Sequence, residues 1–327
     1  ARNFMTYSKN IIIGAGISGL SCGLELKDSL ILEKCGSIGG LAKTIEYKNF
    51  RFDLGGHRFF TKNTSTEKFF RGLLEGKVLE VSRKSKIYRK QQFITYPLEI
   101  SVIFQLKLLE IVGSFSSYVY RKIRPLKGES FQVHSSNRFG DYLYSLFFRD
   151  YTEKVWGLDC KGISRELVDT RLQDISLLRV IAHLFMKNKK VKSFADAFLY
   201  PKRGIGVLSE TLSKGLDVDL NSNVTGIVCS NNRIEKVIVN NSKEFDCKNV
   251  VSTMPITMLV HLLNSPCKIK MAASSLKYRG LICVFLILNK AFFTKEQWLY
   301  FPDGQIFGRV HEPKNWSAYM APGYKTG

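Results

Sequence analysis

The sequence predicts an α/β fold: a Rossmann-like βαβ unit completed by a β-meander, joined to a mostly helical substrate lobe of mixed α+β character. Three observations carry that expectation. Residues 10–33 read as strand, Gly14-x-Gly16-x-x-Gly19, helix, strand and a terminal Glu33. Residues 218–255 alternate short apolar runs with Asn-rich turns at 221–223, 231–232 and 240–241. Between them, residues 75–200 hold long amphipathic segments at 99–122, 136–156 and 163–187, with few glycines.

Each part of the first unit has a mechanical reason. Ile11–Ile13 is a short apolar run suited to a buried parallel strand. Gly14 permits the tight turn out of it, Gly16 lets a pyrophosphate approach the backbone, and Gly19 is expected to let the helix pack closely on the sheet. The helix N-terminus, with unpaired N–H groups and the positive end of its dipole, then faces the diphosphate. Leu30–Leu32 forms the second strand, and Glu33, 19 residues after Gly14, can accept hydrogen bonds from a ribose hydroxyl. Together these predict a bound dinucleotide.

The next segments narrow the choice of dinucleotide. Lys34 and Gly39-Gly40-Leu41 follow Glu33 closely, and Gly55-Gly56-His57 comes soon after. A simple nicotinamide site needs no second glycine-rich loop here. FAD does, because the isoalloxazine extends past the first βαβ unit and requires close backbone approach. With these residues the chain resembles the flavoprotein superfamily of amine oxidases, protoporphyrinogen oxidases, phytoene desaturases and UDP-galactopyranose mutases. Gly40-Leu-Ala-Lys-Thr44 is similar to the superfamily's Gly-Gly-x-x-x-Thr/Ser loop, without the arginine that many amine oxidases carry right after the glycine pair.

Two further segments resemble the mutase branch most. Gly55-Gly-His57-Arg-Phe-Phe-Thr61 is similar to a segment whose histidine sits beside the flavin. Residues 143–157, with Tyr151, Thr152, Lys154 and Trp156, are similar to a helix lining the sugar-nucleotide site. Leu167–Arg171 falls where those enzymes have a short segment ending in arginine. The resemblance therefore implies an FAD site built from Gly14, Gly16, Gly19, Glu33, Lys34, Gly39, Gly40, Leu41, Gly55, Gly56, His57 and the Val224 backbone. It implies His57 as the catalytic residue at the flavin edge, and Tyr151, Trp156 and Arg171 as substrate contacts. Residues 1–74 and 201–255 are expected to form the FAD domain, and 75–200 with 256–327 the substrate lobe. Leu281–Leu288 is expected as a central strand of that lobe. Flavoproteins of this group close the FAD site with a C-terminal Gly-Asp segment and helix, and no such segment is found before Gly327.

The residues alone leave other readings open for several of these positions. Most histidines are structural or solvated, and an aromatic stripe at helical spacing is more often core than ligand platform. Tyr144 is accordingly read as core, while Tyr151 and Trp156 retain a stacking role against a uracil. Arg171 would offer a guanidinium fork to phosphate oxygens.

Composition bounds the rest. A chain of 327 residues, 45% hydrophobic and 12% aromatic, can bury a large core. Seven scattered cysteines without a C-x-x-C pair suggest reduced thiols in the cytoplasm and neither a disulfide framework nor a zinc site. No metal site is expected. The net charge of +21 draws attention to nucleic acid, but no groove-reading motif accompanies it and no specific nucleic-acid partner is expected. A positive field also concentrates an anionic substrate such as a nucleotide sugar. It equally suits peripheral contact with an anionic membrane at its inner face, with Ser101–Tyr120 as an amphipathic helix. Three functions follow in order: a mutase-like enzyme acting on a nucleotide sugar in surface-polysaccharide synthesis, an FAD-dependent oxidoreductase of the amine oxidase or protoporphyrinogen oxidase type, and a non-enzymatic flavoprotein module. Substrate and oligomeric state are not legible.

Overall fold

A computed structural model describes residues 8–96, 107–171, 197–323, 325 and 326. Its largest sheet has six strands in the order β10-β11-β12-β1-β2-β9. Strands β1 (Ser8–Ile13), β2 (Ser29–Leu32), β9 (Asp217–Asp219) and β12 (Lys243–Ser252) run parallel, with β1 between β12 and β2. Strands β10 (Val224–Ser230) and β11 (Arg233–Val239) extend β12 as an antiparallel meander. Its two-residue turns, Asn231-Asn232 and Asn240-Asn241, all have positive φ, between 49° and 60°. Asparagine tolerates that conformation, which matches the twist of a tight hairpin. The run at 218–220, expected inside the meander, instead pairs with β2 at the opposite edge.

Alternation along β1 feeds two cores, one on each face of the sheet. Ile11 and Ile13 join Leu30, Leu32, Val224, Val237, Val239 and Phe245 under the meander. Ile12 and Ile31 face the other way, against Leu20 of helix α1 (Ile17–Glu25), and Leu208 and Leu212 of a later helix. Fully buried strands of this kind read as continuous apolar runs, which is why Ile11–Ile13 was legible.

The chain leaves the β2 edge through the hairpin β3 (Thr44–Tyr47) and β4 (Phe50–Asp53), then helix α2 (Thr64–Leu74). Residues 78–96, expected in a helical lobe, are strands β5 (Val78–Ser82), β6 (Ser85–Arg89) and β7 (Gln92–Tyr96). They are short and half-exposed, so their apolar residues alternate instead of clustering and give no long run to notice. Strand β5 pairs with β8 (Ala197–Pro201), and β6 lies between β7 and β13 (Trp298–Tyr300), which pairs in turn with β14 (Arg309–Val310).

Helices α3 (Leu108–Ile123) and α4 (Phe131–Phe139) follow, then α5 (Asp141–Leu143), a π-helical stretch Tyr144–Arg149 and α6 (Asp150–Trp156). The expected single helix over 136–156 is broken at Gly140. Its φ is +84°, and a Cβ there would meet the Tyr118 amide nitrogen of α3 at 2.7 Å. Phe131, Phe139, Tyr144, Phe147 and Phe148 build a third core. Tyr144 is core, as read from its spacing.

Helix α7 (Glu166–Arg171) ends the described part of this lobe, and the rest of the expected 163–187 segment lies outside the described residues. Helix α8 (Gly206–Leu212) then packs on α1 and α2, and α9 (Ile256–Leu262) and α10 (Cys267–Ser275) follow β12. Leu281–Leu288 is not a central strand: among the described residues only Leu288 pairs, with Thr326. Leu281, Ile282 and Val284 are 70%, 90% and 76% exposed. Apolar composition marks a strand candidate, but a ladder also needs a neighbour for its N–H and C=O groups. Among the described residues no helix is long and apolar enough to cross a membrane.

Candidate functional site

The glycine residues set the geometry at the carboxyl ends of β1 and β2. Gly14 has φ +101°, and a Cβ there would meet Thr253 Oγ1 at 2.5 Å. Gly19 lets the helix pack closely on the sheet, as expected: a Cβ on it would collide with the Gly14 carbonyl at the end of β1 and lie 3.4 Å from Ile12 Cγ2 within that strand. Gly23, one turn on, makes a second close approach, its Cβ position lying 2.8 Å from Ile31 Cδ1. Around Gly16 the space is open, with nothing nearer to a Cβ than Gly40 Cα at 4.0 Å. Gly16 caps α1 and no side chain caps that helix end. An open glycine face at an uncapped helix N-terminus is the cradle a pyrophosphate requires, so these residues fit a dinucleotide.

The second glycine loop closes on the first. Gly16 and Gly39 form a parallel bridge, and the Gly39 amide donates to the Ala15 carbonyl at 2.8 Å. Gly39 and Gly40 both have positive φ. Lys34 is exposed and Leu41 is 80% exposed at the loop surface.

Glu33 is buried at the end of β2. Its two carboxylate oxygens accept from the Ala15 amide at 2.8 Å and the Cys35 amide at 2.9 Å. A carboxylate has further lone pairs, so Glu33 is oriented by these bonds and can still take a ribose hydroxyl. The chain before Val224 runs beside it, with the Ser222 amide donating to the Glu33 carbonyl at 2.8 Å. Val224 itself is buried at the start of β10.

Gly55-Gly56-His57 leaves β4 directly after Asp53, which is 4% exposed. Asp53 accepts from Thr44 Oγ1 at 2.6 Å, from the Tyr200 hydroxyl at 2.6 Å and from the Ile205 amide at 3.1 Å. Burial raises its pKa against the lowering effect of those bonds and of His57. The Thr44 hydroxyl oxygen in turn accepts from the Gly206 amide at 2.8 Å. This node ties the end of the second glycine loop, the His57 loop and the start of α8 together. His57 Nε2 donates to the Leu54 carbonyl at 3.0 Å, which fixes the orientation of the ring.

Three residues that the sequence reading did not single out surround Gly56, and a fourth, His311, packs behind them. A Cβ on Gly56 would lie 3.0 Å from Trp298 Nε1, 3.3 Å from Trp316 and 3.5 Å from an Arg309 guanidinium nitrogen. His311, beside Trp316 with ring centroids 5.6 Å apart, has its pKa pushed down to about 4, by burial first and then by Arg309 and His57. The one available signal was rarity, since Trp298 and Trp316 are two of only three tryptophans. Nothing in local spacing connects them to a loop more than two hundred residues away.

Of the expected substrate contacts, Tyr151 packs edge-to-face on Tyr300, with centroids 5.4 Å apart. Tyr300 pairs with Arg309 across β13 and β14, so one hairpin carries both Tyr151's partner and the guanidinium at Gly56. Trp156 ends α6 and is 41% exposed. The Arg171 side chain lies outside the described residues.

Comparison with known proteins agrees with this fold. A reduced UDP-galactopyranose mutase superposes with TM-score 0.82 at 21% identity, covering 98% of this chain and 73% of that one. A provisional protoporphyrinogen oxidase from Exiguobacterium sp. 255-15 gives TM-score 0.70 at 14% identity, covering 99% and 76%. A putrescine oxidase gives 0.62 at 15%, covering 98% and 74%. The profile of the flavin containing amine oxidoreductases matches residues 17–327. The chain therefore belongs to the flavin-containing amine oxidoreductase family, as an enzyme with FAD as its cofactor.

Proposed function

We propose that this enzyme acts on a nucleotide sugar, in the manner of a UDP-galactopyranose mutase, in surface-polysaccharide synthesis. The observation that carries the reading is Arg309 at Gly56, with two tryptophans around the same glycine. The FAD would be held by the glycine loops and Glu33, and when reduced it supplies the electron-rich centre for chemistry at the sugar. A guanidinium beside the flavin loop complements a diphosphate and opposes a protonated amine. Arg309 would hold the phosphate oxygens, and Tyr151, Trp156 and Arg171 would border the nucleotide. The His57 ring, fixed by its bond from Nε2 to the Leu54 carbonyl, would stand at the flavin edge. The surplus of 49 Lys and Arg over 28 Asp and Glu supports an anionic substrate.

A second reading, an oxidoreductase acting on a porphyrinogen-like substrate, is favoured by Leu281 at Gly55 and by the apolar character of the same tryptophans. Leu281 packs 3.3 Å from the position of a Cβ on Gly55, and Phe198, Trp298 and Trp316 form an aromatic cluster. Apolar walls of that kind suit a hydrophobic substrate. Titration of the FAD-loaded protein with UDP separates the two. Saturable perturbation of the flavin spectrum, reduced in Arg309→Gln, supports the nucleotide-sugar reading. No perturbation by UDP, together with tight binding of a porphyrin, supports the second.

A further inference from the structure

Helix α3 is built the wrong way round for a helix that packs only on its own protein. The face it turns toward α4 and α5 carries small and polar residues. A Cβ on Gly113 would touch the Tyr142 ring at 3.1 Å, and Ser114 is buried. The Ser117 hydroxyl accepts from the Tyr142 amide at 3.0 Å, and Arg121 pairs with Asp141 at 2.7 Å. The outward face holds the large apolar side chains. Leu108, Val112, Phe115, Val119 and Ile123 recur at spacings of three and four residues, and Leu109 borders them. Their exposures are 75%, 57%, 60%, 37%, 74% and, for Leu109, 83%. An exposed apolar stripe running the length of a 16-residue helix marks an interaction surface.

Cations stand at both ends of that stripe. At the N-terminal end are Lys107 and Lys90, the latter on the β6–β7 hairpin and bonded to Glu110 at 3.2 Å. Phe93, 49% exposed, lies on the same hairpin. At the C-terminal end are Lys122, Arg124 and Lys127, all exposed, and among the described residues no carboxylate pairs with these three.

We propose that α3 lies in the plane of an anionic lipid surface, its apolar face among the acyl chains and its flanking cations on the headgroups. An apolar stripe with basic residues at its borders is the pattern of an interfacial helix. A second copy of the chain is a poorer occupant. A two-fold interface brings the same patch against itself, and since both ends of the stripe are basic, either helix orientation sets cations on cations. The net charge of +21 adds to that repulsion.

The test is sedimentation of the full chain, loaded with FAD, with vesicles of phosphatidylcholine alone or mixed with a quarter phosphatidylglycerol. Binding is expected to the mixed vesicles, to weaken as salt rises, and to be much weaker on phosphatidylcholine. Replacing Lys122, Arg124 and Lys127 by Gln should weaken binding roughly a hundredfold, from a factor of about five per cation. The exposed-face variant Leu109→Ser with Val112→Ser and Phe115→Ser should lose it as well. Phe115→Trp, a change at an exposed site, should show fluorescence quenched by brominated lipid. Absence of binding to the anionic vesicles would overturn the proposal. Equal binding by all variants would do the same. So would a wild-type dimer in solution that the serine variant dissolves, which would assign the face to a second copy.

Discussion

The Tyr200 hydroxyl donates to Asp53 at 2.6 Å across 147 residues of sequence, and that one bond joins the His57 loop to the strand leading into α8. Asp53 is buried and takes two further donors, Thr44 and the Ile205 amide, so the carboxylate organises three chain segments around the expected flavin edge. Tyr200→Phe deprives a buried acceptor of a donor, and a loss of about 1–3 kcal/mol is expected. Chemical denaturation of the FAD-free protein measures it. An unchanged midpoint would show that the node does not hold the loops together.

Two buried titrating groups of the site, His311 and Asp53, act in opposite senses with pH. His311 is held near 4 against an ordinary 6.5. Between those values the unfolded chain carries a proton that the folded chain excludes. Stability present above pH 6.5 is therefore lost as pH falls toward 4, by about 3 kcal/mol. Asp53 has a raised pKa, so its contribution is present below the ordinary carboxylate value and declines as pH rises through the folded one. Melting temperature followed from pH 7 to pH 4 should fall less in His311→Gln than in wild type. Parallel curves would contradict the assignment.

The glycine loops make a sharper contrast. Gly19→Ala drives a methyl into the Gly14 carbonyl and should abolish FAD retention. Gly72→Ala, in α2, meets nothing within 4 Å and should stabilise the protein by about 0.5–1 kcal/mol through helix propensity. Flavin absorbance and thermal melts of both variants check the pair.

Glu33→Ala should weaken FAD binding by about 1–3 kcal/mol. The same change frees the buried Ala15 amide, so part of the loss is a looser first glycine loop. Titration of the FAD-free protein with FAD reads the affinity, and hydrogen exchange at the Ala15 amide reads the loosening.

The dinucleotide half of the site was legible because its physics is local. A tight turn, a backbone approach and a helix N-terminus all fall within 10–33, and Asn-Asn turns announce the meander. Asp53 and the Gly55-Gly56-His57 loop sit next to one another, so the loop could be read while the Asp53 partners, Tyr200 and Ile205, could not. Arg309, Trp298 and Trp316 come to Gly56 from more than two hundred residues along the chain, a contact that no spacing reports. Leu281–Leu288 misled for the converse reason: its apolar composition is that of a buried strand, but a strand's place depends on its neighbours.

The stoichiometry of turnover tests the nucleotide-sugar reading most directly. The FAD-loaded protein is reduced once under anaerobic conditions, supplied with UDP-galactopyranose, and followed for rearranged sugar and for reductant consumed. The expected result is many molecules of rearranged nucleotide sugar per equivalent of reductant, with Arg309→Gln weakening UDP binding by about 2 kcal/mol. No rearranged sugar, with the oxidised flavin instead bleached once per molecule of amine, porphyrinogen or polyene and restored only by an electron acceptor, would contradict it.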